Sequence, residues 1–185
     1  MLDFEEQAPK PKALRKITKQ RLKNIGLYYL KRFESSENNL RQVLRRRVND
    51  YVRYNPDFNK TEAYAWIEEV LTDFKNWKYI DDERYASLKV RDYLNAGKPA
   101  RYIKNKLKQK GVDESVVNEL LNAQEYNPEE MALKFARKKK IGPFRPDEES
   151  RRENRQKDMG ALIRAGFEYD VVTKVLGEEV FDGDE

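Results

Sequence analysis

The chain contains neither cysteine nor histidine. It therefore cannot form a disulfide, present a thiolate nucleophile, use imidazole as a general base or build a Cys/His zinc site. No apolar run approaches the roughly 18 residues that would suggest a transmembrane helix. The first residues also lack the hydrophobic segment of a secretory signal. We expect a soluble cytoplasmic protein without membrane attachment.

Glycine is scarce, at 8 residues, and the glycine motifs of phosphate and acyl chemistry do not occur. Gly97-Lys98 lacks the upstream glycine of a phosphate-binding loop and is followed by Pro99. Asp81-Asp82-Glu83 is the only candidate for a carboxylate metal site. Adjacent acids at a predicted helix start more commonly complement the helix dipole. The sequence thus predicts a protein that is not an enzyme and has no metal or cofactor.

Charge is abundant: charged residues make up 38% of the chain, and the net charge is +5. The basic residues cluster at positions 10–23, 41–47, 101–110 and 137–140, whereas positions 178–185 are acidic. This balance favours an anionic partner. The chain also has 11 Tyr, 8 Phe and 2 Trp, which argues against disorder and favours small helical units with narrow apolar faces.

The apolar spacing predicts one three-helix pattern written about three times. Its clearest match runs from Leu107, Gly111 and Val112 to Leu162, Gly166 and Phe167, at a constant offset of 55 residues. The first copy aligns with the second at an offset of 63 in the middle helix and 50 in the third, so it holds 13 extra residues. We expect an all-α, elongated tandem array of three three-helix, helix-turn-helix-like repeats.

The predicted organisation has five parts. A flexible basic arm spans 1–17, the three repeats span 18–77, 78–125 and 126–178, and an acidic tail spans 179–185. The first helix is predicted to start at about Thr18, and later helices at the capping residues Ser36, Thr61, Asp113 and Asp147. The first helix is expected to reach about Phe33.

The basic residues of the middle helices are the candidate binding site. Arg101, Lys104 and Lys108 fall at i, i+3 and i+7, so they share one helix face. At the 63-residue offset Lys104 aligns with Arg41, and Lys108 with Arg45, which predicts a cationic stripe across two repeats. The full set is Arg41, Arg45, Arg46, Arg47, Arg101, Lys104, Lys106, Lys108, Lys110, Arg151, Arg152 and Arg155.

Four aromatic residues could stack on bases of a single strand. For each of them the sequence favours core packing over stacking. They are Tyr28, Tyr29, Tyr54 and Trp77.

The segment 79–86, with Asp81-Asp82-Glu83-Arg84-Tyr85-Ala86, is followed by a Gly97-Lys98-Pro99 turn and a basic helix ending in Lys110-Gly111. This ordered set resembles the RecX family, and Ser36, Leu40 and Leu44 resemble its first-repeat motif. The resemblance covers roughly residues 20–177. It implies three-helix repeats and a modulator, usually an inhibitor, of the RecA recombinase, lying in the groove of the RecA–DNA filament.

The resemblance therefore implies the RecA filament as the partner. From the cationic stripe we expect weak, non-specific binding to single- or double-stranded DNA. We also expect a monomer. Two departures, the region 45–60 and the loop 141–147, could alter the fit to a filament groove. A rival hypothesis is a direct helix-turn-helix-like DNA-binding protein, with Asn38 and Asn39 as candidate base readers. A third is a scaffold whose charges only keep it soluble.

Overall fold

The structure, a computed structural model, describes residues 15–177, and that part of the chain contains helices and no strand. The predicted arm and the acidic tail lie outside the described residues, except for positions 15–17 of the arm. The helices are α1 (Lys19–Leu30), α2 (Glu37–Val52), α3 (Lys60–Asn76), α4 (Asp82–Asn95), α5 (Ala100–Lys108), α6 (Glu114–Ala123), α7 (Pro128–Lys139), α8 (Glu148–Ala165) and α9 (Tyr169–Leu176). A 3-10 turn covers Gly142–Phe144. The all-helical prediction is confirmed.

Most helices begin where the sequence predicts. The side chains of Thr18, Asp113 and Asp147 accept backbone hydrogen bonds at the starts of α1, α6 and α8. Thr61 is a wrong prediction, because α3 begins at Lys60 and Asn59 caps it by accepting from the Glu62 N–H at 3.1 Å. The first helix ends at Leu30, three residues before the predicted end.

The described residues divide into two compact units. The first contains residues 15–34 and 40–79, and the second contains 35–39 and 80–177. In the first unit α1 packs closely on α3. A Cβ placed on Gly26 would lie 2.5 Å from the Phe74 ring, so only glycine allows this approach.

The second unit has one continuous apolar core that takes residues from α4 to α9. Within it the positions of the predicted 55-residue match form equivalent backbone hydrogen bonds. The Val112 N–H donates to the Leu107 carbonyl at 3.1 Å, and the Phe167 N–H donates to the Leu162 carbonyl at 3.2 Å. The intervening Gly111 and Gly166 have φ of +81° and +106°, the left-handed region that favours glycine at a helix end.

The predicted alignment of the middle helices also agrees with burial. Leu40 and Leu44 of α2 are fully buried, as are Ile103 and Leu107 of α5 at the matching positions. The extra residues of the first copy lie largely in longer helices, since α2 has 16 residues against 9 in α5, and α3 has 17 against 10 in α6. In α7, by contrast, Leu133 is exposed, and Met131, Ala132 and Ala136 form the buried face.

A buried ion pair holds the 141–147 loop to α8. Asp158 is 1% exposed, and its Oδ2 accepts hydrogen bonds from the Gly142 N–H at 2.8 Å and from Arg145 Nε at 2.7 Å. Its Oδ1 accepts from Arg145 Nη2 at 2.7 Å. Burial alone would raise the pKa of Asp158, but these hydrogen bonds outweigh burial and hold the pKa below its ordinary value.

Candidate basic interface

Helix α5 presents the densest group of predicted site residues. Pro99 precedes the helix, and Ile103 and Leu107 are buried on its inner face. Ala100 also packs against the core, Tyr102 and Lys104 are half-buried, and the other side chains of the helix are exposed. Lys106 and Lys108 lie in its last turn, where positive charge complements the C-terminal end of the helix dipole.

One side of α5 borders a shallow cleft of about 340 Å³. Arg101, Lys104 and Lys108 line it, as their i, i+3, i+7 spacing predicts. Two carboxylates, Glu114 and Glu168, also line it, and Lys104 Nζ lies 3.8 Å from Glu114 Oε1. This side is therefore cationic with an acidic edge, and it carries less positive charge than the sequence alone predicts.

The other side of α5 borders a cleft of about 330 Å³ that reaches the end of α8. Tyr102 lines this cleft and contacts two ammonium groups, with Lys98 Nζ at 4.9 Å and Lys106 Nζ at 5.7 Å from its ring centroid. Exposed Ile163 and Arg164 complete the cleft from α8. Sequence reasoning missed Tyr102 and the α8 contribution, because neither belongs to the cationic pattern that defined the site.

Sequence reasoning also missed an exposed row on α5. Arg101, Asn105 and Gln109 lie at i, i+4 and i+8 on one face, and all three are exposed. Arginine, asparagine and glutamine are the residues that make bidentate contacts with base edges. The same spacing rule that found the cations could have found this row, had amides been included.

The arginines of α2 fall into two classes. Arg41 donates from Nε and Nη2 to the Glu68 carboxylate at 3.0 Å, and Arg45 Nη2 donates to the same group at 3.3 Å. Arg46 and Arg47 are exposed, and neither contacts a carboxylate within residues 15–177. Only the second pair is fully available to an external anion.

The remaining predicted cations have different roles. Lys110 is half-buried and its ammonium donates to Asn39 Oδ1, so it serves the internal packing of the second unit. Arg155, within α8, donates from Nη2 to the carbonyl of Gly177, the residue that ends α9, at 2.7 Å. Arg151 and Arg152 are exposed, but they lie about 18 Å along α8 from the end that borders α5, at 1.5 Å per residue. The second unit therefore carries two separate basic patches.

The acidic cluster Asp81-Asp82-Glu83 acts at helix starts. Asp81 caps α4 by accepting from the Arg84 N–H at 2.9 Å. Asp82 Oδ1 accepts from the Glu37 N–H, in the first turn of α2, at 2.8 Å. Within residues 15–177 no group of three acids is placed to hold a metal ion. The helix-dipole interpretation of this cluster agrees with these contacts.

The residues suggested as base readers are engaged in the same region. Asn39 accepts from Lys110 and its amide donates to Ser35 Oγ at 2.8 Å. Asn38 packs against Gly111, where an added Cβ would lie 2.6 Å from the Asn38 Cβ. These contacts leave Asn105 and Gln109 as the exposed amides near the basic helix.

No helix in the described part of the chain is long and apolar enough to cross a membrane.

Comparison with known proteins adds a family relationship. Residues 81–121 match the family model for the second three-helix domain of RecX. The chain is 36% identical over 168 residues to the regulatory protein RecX of Myxococcus xanthus, covering 90% of this chain and 89% of that protein. It is 32% identical over 177 residues to the regulatory protein RecX of Agrobacterium fabrum, covering 94% and 90%.

Two solved structures share the fold. The crystal structure of RecX from Lactobacillus salivarius superposes with a TM-score of 0.60 at 22% identity, over 85% of this chain and 94% of that one. A crystal structure titled as regulatory protein RecX gives a TM-score of 0.58 at 25% identity, over 85% and 72%. The helical repeat architecture is common to all three.

Proposed function

Because the chain belongs to the RecX family of regulatory proteins, we propose that it binds the RecA nucleoprotein filament and inhibits RecA. The activities affected are recombination, DNA-dependent ATP hydrolysis and co-protease action in DNA repair and the SOS response. The observation that carries this proposal is the 36% identity across 90% of the chain. We place its action in the cytoplasm, as a monomer, on a partner already assembled on DNA.

The proposed mechanism is electrostatic and steric. Exposed cations on α5, namely Arg101, Lys106 and Lys108, would meet acidic protein surface or DNA phosphate. Arg46 and Arg47 on α2 would add a second contact from the first unit. The three repeats, with boundaries proposed at 77/78 and 125/126, would each contribute a helix face to a long partner.

The experiment is a titration of RecA-catalysed, DNA-dependent ATP hydrolysis and strand exchange with the full-length protein. Inhibition at or below stoichiometric ratios is expected, and co-sedimentation should place the protein on the filament. Absence of any effect at stoichiometric excess, at both low and moderate salt, would rule the proposal out. A stimulated or prolonged activity would retain filament binding and reject inhibition.

A second candidate, direct DNA binding through α5, is favoured by the row Arg101, Asn105 and Gln109. Flanking lysines would contact phosphates while this row faced base edges in a groove. A competition assay on naked duplexes separates the candidates. Preference for one sequence that is lost in N105A/Q109A would favour direct readout, whereas uniform, salt-sensitive binding would favour phosphate contacts alone.

A further inference from the structure

The first unit contains a cleft that shares only Arg47 with the surface proposed above for filament binding. It lies between one face of α1, together with the residues just before that helix, and the C-terminal half of α2, and it has a volume of about 760 Å³. Small-molecule sites in proteins commonly span about 300–1,000 Å³. The cleft is therefore large enough for a ligand bigger than a simple ion.

Three arginines give the cleft its charge: Arg15, Arg21 and Arg47. Within residues 15–177 none of them forms a salt bridge, unlike Arg41 and Arg45 on α2. Asp50 is the single carboxylate among the described lining residues, so the lining has a net charge of about +2 at neutral pH. The site therefore favours an anion.

Arg21 carries a more specific signal. Its Nε is buried and has no hydrogen-bond partner in the described part of the chain. No acceptor in the described part of the chain holds this nitrogen, so the guanidinium can meet an anionic ligand through the nitrogens that solvent reaches. Arg21 also belongs to the first turn of α1, where Thr18 forms the cap, and the positive end of the helix dipole adds to the attraction.

The rest of the lining is aromatic and apolar. Tyr28 is 59% exposed, Tyr51 is half-buried, and Ile17 and Ile25 lie beside them. The Arg32 guanidinium covers one face of the Tyr28 ring, at 4.3 Å from its centroid, and the opposite face can stack on any nucleic-acid base. An inorganic anion would make no favourable contact with this aromatic and apolar part of the cleft.

Two amides complete the cleft. Gln20 Nε2 donates to Asn24 Oδ1 at 2.9 Å, and this bond fixes both side chains. The Gln20 carbonyl and the Asn24 amino group keep their hydrogen-bonding capacity. Such a pair can recognise the polar edge of a base, which carries donors and acceptors side by side.

We propose that this cleft binds a nucleotide, with its phosphate on the arginines and its base against Tyr28 and Tyr51. The nucleotide can be a free nucleoside phosphate or one unit of a single-stranded DNA. The shared chemistry is a flat base joined to an anionic phosphate. This proposal does not rest on the proposed function, because it requires no recombinase.

The experiment measures binding of defined probes to the full-length protein by calorimetry. The probes are dATP, dAMP, a short oligothymidylate, inorganic phosphate and thymidine. A nucleotide is expected to bind at least about tenfold more tightly than phosphate or thymidine alone, because it uses both halves of the site. Saturable binding of dATP that competes with the oligonucleotide indicates a free-nucleotide site, whereas binding of the oligonucleotide alone indicates a strand site.

Matched variants locate the binding. R47Q is expected to lower nucleotide affinity by at least about tenfold, because it removes charge-assisted hydrogen bonds to phosphate. R53Q makes the same charge change just beyond α2 and away from the cleft, so it should bind as wild type does. Y28L should weaken dATP and dAMP but leave phosphate unchanged, and Y169L, at an exposed tyrosine of α9, should have no effect.

Several outcomes would overturn the proposal. These are equal losses in R47Q and R53Q, phosphate binding as tightly as dAMP, or no binding of any nucleotide at low salt. An acidic peptide that displaces dAMP at equal concentration would indicate a protein ligand instead. Circular dichroism checks that the variants are folded, which is expected because Arg47 and Tyr28 are surface residues.

Discussion

Arg145 and Asp158 form a two-pronged ion pair in which the Asp158 side chain is almost completely buried and the Arg145 side chain is 17% exposed. The Gly142 N–H occupies a further position on the same carboxylate. All the hydrogen bonds that a buried carboxylate needs are thus supplied from one short loop. The Asp158 side chain therefore joins the 141–147 loop to the middle of α8, and the loop conformation depends on it.

Removing the carboxylate should therefore be costly. D158A leaves the Arg145 charge and the Gly142 N–H without their acceptor, and we expect a loss of about 3–5 kcal/mol in the free energy of unfolding. Urea denaturation followed by circular dichroism measures it. E153Q, an exposed site on the same helix, should change the free energy by less than about 0.5 kcal/mol. Equal stability of the two variants would contradict the structural role of the pair.

The same pair predicts a pH dependence. The folded-state pKa of Asp158 lies below the unfolded value, which is about 3.9 for aspartate. The ionised carboxylate therefore stabilises the fold fully above that pH, and the stabilisation is lost as the pH falls through the folded pKa. The stability difference between wild type and D158N should be constant near neutral pH and shrink below about pH 4. A difference that grows on acidification would give the opposite sign and reject this assignment.

Gly26 should not tolerate a side chain, although alanine usually stabilises a helix. A methyl group at Gly26 would meet the Phe74 ring at 2.5 Å, so G26A is expected to destabilise by about 1–3 kcal/mol. G160A is the matched control, because the nearest atom there is the mobile end of Arg164 at 2.9 Å. It should stabilise α8 by about 0.5–1 kcal/mol.

A double variant tests the cause. If the Phe74 ring is the obstacle, F74L should partly compensate for G26A, and the two changes should be non-additive. Thermal or urea unfolding of the four proteins in this cycle gives the coupling energy. Additive effects would mean that the steric explanation is wrong.

The α5 cations should matter for partner binding without affecting folding. R101Q/K104Q/K108Q is expected to weaken binding to the RecA–DNA filament by at least about tenfold and to lower its salt dependence. The control K138Q/K139Q/K140Q removes the same charge from exposed positions near the end of α7. Filament co-sedimentation over a salt series measures both. Equal losses would show that net charge, and not the α5 face, is responsible.

Changes at α2 should separate into two kinds. R41Q breaks the contacts to Glu68 and should cost up to about 1 kcal/mol of stability, since Glu68 is 46% exposed and solvent screens the pair. R46Q, which touches no carboxylate in the described chain, should leave stability unchanged. We expect R46Q to lower filament affinity more than R41Q does, and sedimentation together with urea denaturation reads out both effects. A variant that changes Arg41 and Arg46 together would alter stability and filament affinity at the same time, so the two effects are measured in separate single variants.

Much of the fold follows from local rules. Capping residues Thr18, Asp113 and Asp147, and the glycines that end α5 and α8, specify helix boundaries through contacts within a few residues. The 55-residue match needs only the order of apolar and glycine positions. The prediction that Thr61 caps α3 was wrong, because Asn59 lies two residues earlier and caps the same helix.

The exposed aromatics show where such rules stop. Tyr28, Tyr54 and Trp77 were expected in the core, yet they are 59%, 67% and 46% exposed. Trp77 lies against Phe74 and Tyr79, with Lys23 Nζ 4.2 Å from its ring centroid, so partial exposure is offset by ring and cation contacts. Hydrophobicity identifies such residues as apolar, but it does not show whether the core of a small three-helix unit has room for their side chains.

Residue type and short-range spacing were enough to predict the helices, their buried faces and the repeated glycine-ended turn, because each of these depends on contacts within a few residues. Which cations are available to a partner depends instead on contacts between residues that are far apart in the sequence. Glu68 lies 27 residues from Arg41 and 23 from Arg45, and it holds both, whereas Arg47 opens onto a cleft with Arg21. Helical periodicity identifies the face on which a charge lies, but long-range packing decides whether an opposite charge reaches it.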